Sequence, residues 1–125
     1  MKEIIKSLVE TYGPSSCEDQ VRARIEALVR PHVDDMRTDA LGNLIAYKKG
    51  SGGGKSEMVA AHMDEIGVIV THIDKHGFMR FGIVGGVFPK IVVGSRVRFA
   101  NGAMGIIGWE KWLQDMSGAP SLPEL

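Results

Sequence analysis

From Ile66 onward the chain never runs long enough without a turn residue to build a long helix. Apolar segments at Ile66–Ile73, Phe78–Ile83, Ile91–Val93, Val97–Ala100 and Ala103–Trp109 are separated by Asp74 to Gly77, Gly85-Gly86, Gly94 and Asn101-Gly102. Short apolar runs punctuated this often read as strands joined by tight turns, the pattern of a small barrel or sandwich. Most of the 16 glycines fall in this half, well above the average usage of about 7%. The Asn101-Gly102 pair predicts a two-residue type I′ hairpin, which needs positive φ at both positions.

The first third follows a different period. Ile4, Ile5, Leu8, Val9 and Tyr12 recur at helical spacing from Lys2 to Tyr12, and Gly13-Pro14 stops that run. Ser15-Ser16-Cys17-Glu18 has the form of a capping box with Ser15 as N-cap. The helix it would open carries Val21, Ile25, Leu28 and Val29 on one face and ends before Pro31. A short strand over 34–39, a turn at Leu41-Gly42 and a strand over 43–48 follow. Next come a polar, glycine-rich loop to Ser56 and an apolar run, Glu57 to Met63, expected to be a buried strand. A compositional border near 64–68 therefore separates a mixed α/β part from an all-β part.

Composition narrows the function. Fifteen basic residues balance fifteen acidic ones among 125, so the electrostatic footprint of a general nucleic-acid binder is missing. No apolar run approaches the roughly 20 residues of a membrane helix, and the charged N-terminus is not that of a signal peptide. The single cysteine, Cys17, cannot form an internal disulfide and suits a reducing compartment. These features together predict a cytoplasmic chain.

Gly50 to Ser56 invites a phosphate-loop reading but fails it. Lys49 stands where the motif needs its first glycine, and a strand-like run follows where a helix should open. His62 and Asp64 are the sharpest feature. On a strand, residues two apart share a face, so an imidazole suited to zinc would stand beside a carboxylate able to orient it. A His-x-Asp pair satisfied by local hydrogen bonds fits the spacing as well. His72 and His76 flank a predicted turn and read as exposed polar positions. His32 sits at a helix end, where a cation suits the dipole. Cys17 falls in the first turn of the second helix and reads as a buried or inert thiol. Trp109 and Trp112 read as packing groups.

Four segments stand in order along the chain: Gly13-Pro14-Ser15 with Glu18, Thr38 to Ala46, Ala61-His62-Met63-Asp64-Glu65-Ile66-Gly67, and Gly85-Gly86-Val87-Phe88-Pro89. Taken together they resemble one family, the glutamyl and deblocking aminopeptidases, dinuclear metallopeptidases often labelled endoglucanase or cellulase. The resemblance implies an α/β fold: residues 1–66 as the N-terminal portion of a zinc-peptidase-like α/β domain, and 67–125 as part of an inserted small β-barrel used in oligomerisation. It implies that His62 is a metal ligand and that Asp64, counted with the catalytic residues, orients the site from behind. Two divalent ions, zinc or cobalt, a peptide substrate, and assembly from dimers to dodecamers follow from the same resemblance. The family's bridging aspartate, glutamate pair, further acid and late histidine have no counterpart here, so a chain of this extent is expected to be inactive alone. His32, His72 and His76 fall outside the family's ligand positions, and Phe88 departs from the polar or acidic residue of many relatives. A non-catalytic, self-associating module is the competing reading. An endoglucanase is the weakest, because no pair of carboxylates is marked out to flank a scissile bond.

Overall fold

The computed structural model describes residues 1–109. Helix α1 spans Lys2–Val9, α2 spans Asp19–Val29, and a 3-10 turn over Arg30–His32 follows. Strands β1 (Asp35–Thr38) and β2 (Leu44–Tyr47), β3 (Gly67–Ile73) and β4 (Met79–Val84), and β5 (Arg96–Arg98) and β6 (Met104–Ile106) form three separate antiparallel pairs. A four-residue helix, α3 (Pro89–Val92), lies between β4 and β5. The chain is thus mixed α/β, and its strands among the described residues stay in two-stranded sheets rather than closing into a barrel. Backbone contacts divide it into two units, Met1–Gly86 and the part from Val87 on.

All three hairpins turn in the same way. In each, residue i accepts from the amide of i+3 and donates its own amide to the carbonyl of i+4. The pairs are Asp39 with Gly42 and Asn43, Asp74 with Gly77 and Phe78, and Phe99 with Gly102 and Ala103. The glycine at i+3 takes φ of 88°, 87° and 85° respectively. This is the three-residue loop that ends in a left-handed residue, a conformation glycine adopts without steric cost. Asn101-Gly102 is therefore not the expected type I′ turn. Only Gly102 has positive φ, and Asn101 instead accepts from the Ala103 amide through Oδ1 at 3.0 Å. The two aspartates make the same kind of bond from position i. Asp39 Oδ1 accepts from the amides of Leu41 and Asn43, both at 2.9 Å, and Asp74 Oδ1 from those of His76 and Phe78. In the β3–β4 ladder Thr71 is left unmatched between Val70↔Phe81 and His72↔Arg80, a bulge that bends the hairpin.

Helix α1 ends three residues before Tyr12, earlier than its apolar period implies. The Thr11 hydroxyl donates to the Ser7 carbonyl at 2.7 Å, and the Thr11 amide closes on Leu8. The Ser7 and Leu8 carbonyls of the last turn are thus satisfied without continuing the helix. Helix α2 starts at Asp19 with Glu18 at the N-cap position and no side-chain cap, so the Ser15 capping box does not form. Glu18 turns back to accept from the Ser16 amide at 2.6 Å, and the Ser15 hydroxyl is committed elsewhere. Arg22 on α2 donates to the Gly42 carbonyl at 3.3 Å, tying the first hairpin to the helix.

Two further expectations fail for physical reasons. Residues 57–63 form no strand and lie mostly in the open, with Val59 98% exposed. Apolar composition alone cannot bury a strand that lacks a paired neighbour, and no described strand pairs with this one. Ile91 falls in α3 rather than a strand, because Pro89 at the first helical position presets φ and the Ile91 amide closes on Phe88. The buried apolar set among the described residues is correspondingly small. Val21 is 5% exposed in the first unit and Ile107 7% in the second. Ile107 exchanges backbone bonds with Gly94 and Ser95.

Candidate metal centre

The site is assembled from two segments about fifty residues apart. Pro14 and Glu65 form an isolated parallel bridge. The Glu65 amide donates to the Gly13 carbonyl at 2.9 Å, and the Ser15 amide donates to the Glu65 carbonyl at 3.3 Å. The Glu65 side chain completes the clamp by accepting from the Gly13 amide at 3.3 Å. Small residues make this approach possible. A Cβ on Gly13 would lie 2.4 Å from Val21 Cγ1, and one on Gly67 would lie 3.1 Å from the Pro14 ring. Gly13-Pro14 is thus more than a helix stop: it is one jaw of the clamp.

The clamp presents His62 and Asp64. His62 Nδ1 lies 3.0 Å from the Asp64 carbonyl oxygen and 3.1 Å from its Oδ1. Asp64 Oδ2 accepts a hydrogen bond from the Ser15 hydroxyl. The Ser15 donation, and after it the His62 contact, holds the Asp64 carboxyl below the ordinary range of an aspartate. Both oxygens facing Nδ1 are pure acceptors, so Nδ1 must carry the proton. The imidazole then has its free lone pair on Nε2, the form that binds a divalent metal. His62 is well exposed, at 86% of its side chain.

The residues present fit a metal ion as one imidazole ligand with its orienting carboxylate in place. They do not by themselves make a closed site: among the described residues no three His, Cys, Asp or Glu side chains gather around a common point. The two residues meet as the sequence leads one to expect, but by a different route. They lie in an irregular segment just before β3, not on a strand, where Nδ1 meets both the carbonyl and the side chain of Asp64.

The other candidates stay apart from this centre. His72 stands on β3 opposite Arg80 and His76 in the β3–β4 turn, both exposed. The His32 carbonyl accepts from Lys48 Nζ at 2.9 Å. Cys17 is exposed and precedes α2, so it is neither buried nor in the helix's first turn. No helix follows Gly50–Ser56, in keeping with its reading as a plain loop. Trp112 lies outside the described residues. Ser15 is the site residue that the sequence concealed, because its capping-box spacing pointed the hydroxyl at the wrong partner.

Comparison with known proteins places the chain in a class. Residues 42–117, which include His62 and Asp64, match the M42 glutamyl aminopeptidase family. The chain belongs to that family of aminopeptidases. An aminopeptidase from the archaeon Desulfurococcus kamchatkensis superposes with a TM-score of 0.82 at 38% identity, over 98% of this chain and 34% of its own. A Thermotoga maritima structure described as an endoglucanase gives 0.79 at 42% identity, over 85% and 34%. A Pyrococcus horikoshii peptidase, described as assembling into a tetrahedron or a large octahedral shell, gives 0.71 at 31% identity, over 97% and 34%. The chain likewise spans 34% and 28% of two curated relatives, about a third of their length.

Proposed function

We propose that this chain is the N-terminal portion of a metal-dependent aminopeptidase that removes N-terminal residues from peptides. The observation that carries this reading is His62, with its Nδ1 proton held by Asp64 and its Nε2 open, inside the segment matched by the family. Two divalent ions, zinc or cobalt, would supply the polarised water that attacks the first peptide bond. In this scheme His62 contributes one ligand. Asp64 touches no substrate but keeps the imidazole proton on Nδ1 and the ring in one orientation. The remaining ligands and the general base would come from outside these residues, so the chain alone is inactive.

Residues 1–66 read as part of the peptidase α/β domain and 67–125 as the beginning of an inserted β-barrel. The break in backbone contacts comes later, after Gly86, because Gly67 and Ile66 keep β3–β4 against Pro14 and Gly85 within the first unit. Homo-oligomers and a cytoplasmic location complete the proposal. The assembling peptidase relative supports the first; among the described residues no helix is long and apolar enough to cross a membrane.

Zinc titration of the chain, followed by His62 ring 15N shifts and by metal analysis, tests the reading. Weak engagement of Nε2, removed by His62→Ala, is expected, together with no turnover of amino-acid p-nitroanilides. Tight binding of two metals per chain, or robust turnover, would overturn the fragment reading. No response at His62 would overturn the site. A second reading, a non-catalytic self-associating module, is favoured by the exposed Ile69, Ile73, Phe78 and Ile83 of the β3–β4 hairpin. Light scattering distinguishes it: a concentration-dependent oligomer without zinc response supports the module, and a monomer rejects it.

A further inference from the structure

Ser15 is held with more care than a loop serine needs. Its amide is tied to Glu65, and the Cys17 amide closes on the Pro14 carbonyl at 2.8 Å. Ser15 and Ser16 are therefore the central residues of a turn, and Ser16 takes φ 70°, the positive value of its second central residue. A side chain other than glycine in that conformation stores strain, and residues so held cluster where geometry matters. The result of the turn is to aim the Ser15 hydroxyl at Asp64 Oδ2 while Oδ1 of the same carboxylate faces His62 Nδ1. A carboxylate without such a donor rotates broadly about its terminal bond, which weakens its hold on Nδ1 and leaves the Asp64 carbonyl, 3.0 Å away, as the steadier acceptor. The hydroxyl plays no part in starting α2, whose N-cap makes no side-chain bond.

We propose that Ser15 is a positioning residue: it locks the Asp64 carboxylate so that His62 stays in its Nδ1–H form with Nε2 open to the metal. This inference rests on the reading of His62 as a metal ligand. The relay runs from Ser15 Oγ to Asp64 Oδ2 and from Asp64 Oδ1 to His62 Nδ1, and neither serine nor aspartate touches the substrate. Ser15 therefore acts on the site only through the tautomer and orientation of one imidazole.

The test is the tautomer ratio of His62, read from its ring 15N shifts in the metal-free 125-residue chain at neutral pH. The chain itself should show Nδ1–H in excess. Ser15→Ala should shift the ratio towards Nε2–H by roughly tenfold, the scale of one hydrogen bond to a charged group, while Ser15→Thr, which keeps the hydroxyl, should restore it. Amide shifts of Gly13 and Glu65 report whether the clamp stays closed. If Ser15→Ala opens it, Ser15→Cys, close in size but a weak donor, should give an intermediate ratio. An unchanged ratio in a closed Ser15→Ala or Ser15→Cys chain, with Asp64→Ala moving it, overturns the role of Ser15 and leaves the His62–Asp64 reading intact. No change with Asp64→Ala overturns both.

Discussion

The clamp and the hairpins solve the same problem, holding irregular backbone in place, by opposite means. Each hairpin closes on itself within five residues, and every partner of Asp39 or Asp74 in its turn lies no more than four positions away. The clamp joins Gly13–Ser15 to Asp64–Glu65, with nothing in either segment alone to announce the other. Local turns need only the right residue at the right φ. The clamp needs an unobstructed approach of two backbones, so its demands fall on volume as well as conformation.

That contrast predicts where a single methyl group does most harm. Gly13→Ala places a Cβ against Val21, a buried side chain with little room to yield. Overpacking of this kind costs about 1–3 kcal/mol, and the upper end is expected in urea unfolding. The amides of Ser15 and Glu65 should lose protection together. Undisturbed protection there would show that the clamp does not depend on the close approach.

Gly42→Ala should cost about 1–2 kcal/mol, because φ of 88° is unfavourable for any residue with a Cβ. Loss of exchange protection should stay within β1 and β2. Spread of the effect to His62 would erase the distinction between the two regions. Ser16→Gly should act in the opposite direction, stabilising by about 0.5–1 kcal/mol as the positive φ of Ser16 becomes permissible. A loss of stability would mean that the hydroxyl or the entropy of glycine outweighs the strain.

The smallest effect is electrostatic. The Asn43 side chain, then the Asn43 and Leu41 amides, hold the Asp39 carboxyl below its ordinary range. A depressed folded-state pKa gives a contribution that is complete above the unfolded value of about 3.9 and is lost as pH falls through the folded one. Protection of the Leu41 and Asn43 amides, relative to their intrinsic exchange rates, should therefore fall only in strong acid, by a small factor, and Asp39→Ala should remove that dependence. A fall in protection at neutral pH would contradict the turn's dependence on an ionised Asp39.

Legibility followed the same division. The two helices, the turn at Gly42 and the strand pairs from Ile66 on could be read because their signals lie within a few residues. His62 and Asp64 could be paired from spacing, although the pleat assumed to align them is not there. The strand expected over 57–63 could not be judged from its own apolar residues, since burial belongs to the neighbours and no described strand pairs with it. Ser15 shows the limit most clearly: its hydroxyl satisfied the spacing of a capping box and yet bonds Asp64.

What the amino-acid order settled alone was the menu: which segments are helical, where glycine must take positive φ, and which imidazole has a carboxylate two residues on. What tertiary structure decided was the choice of partner, Ser15 for Asp64 and Gly13 for Glu65. Those contacts join groups about fifty positions apart, and their free energy is realised only once the intervening chain has already been brought back on itself.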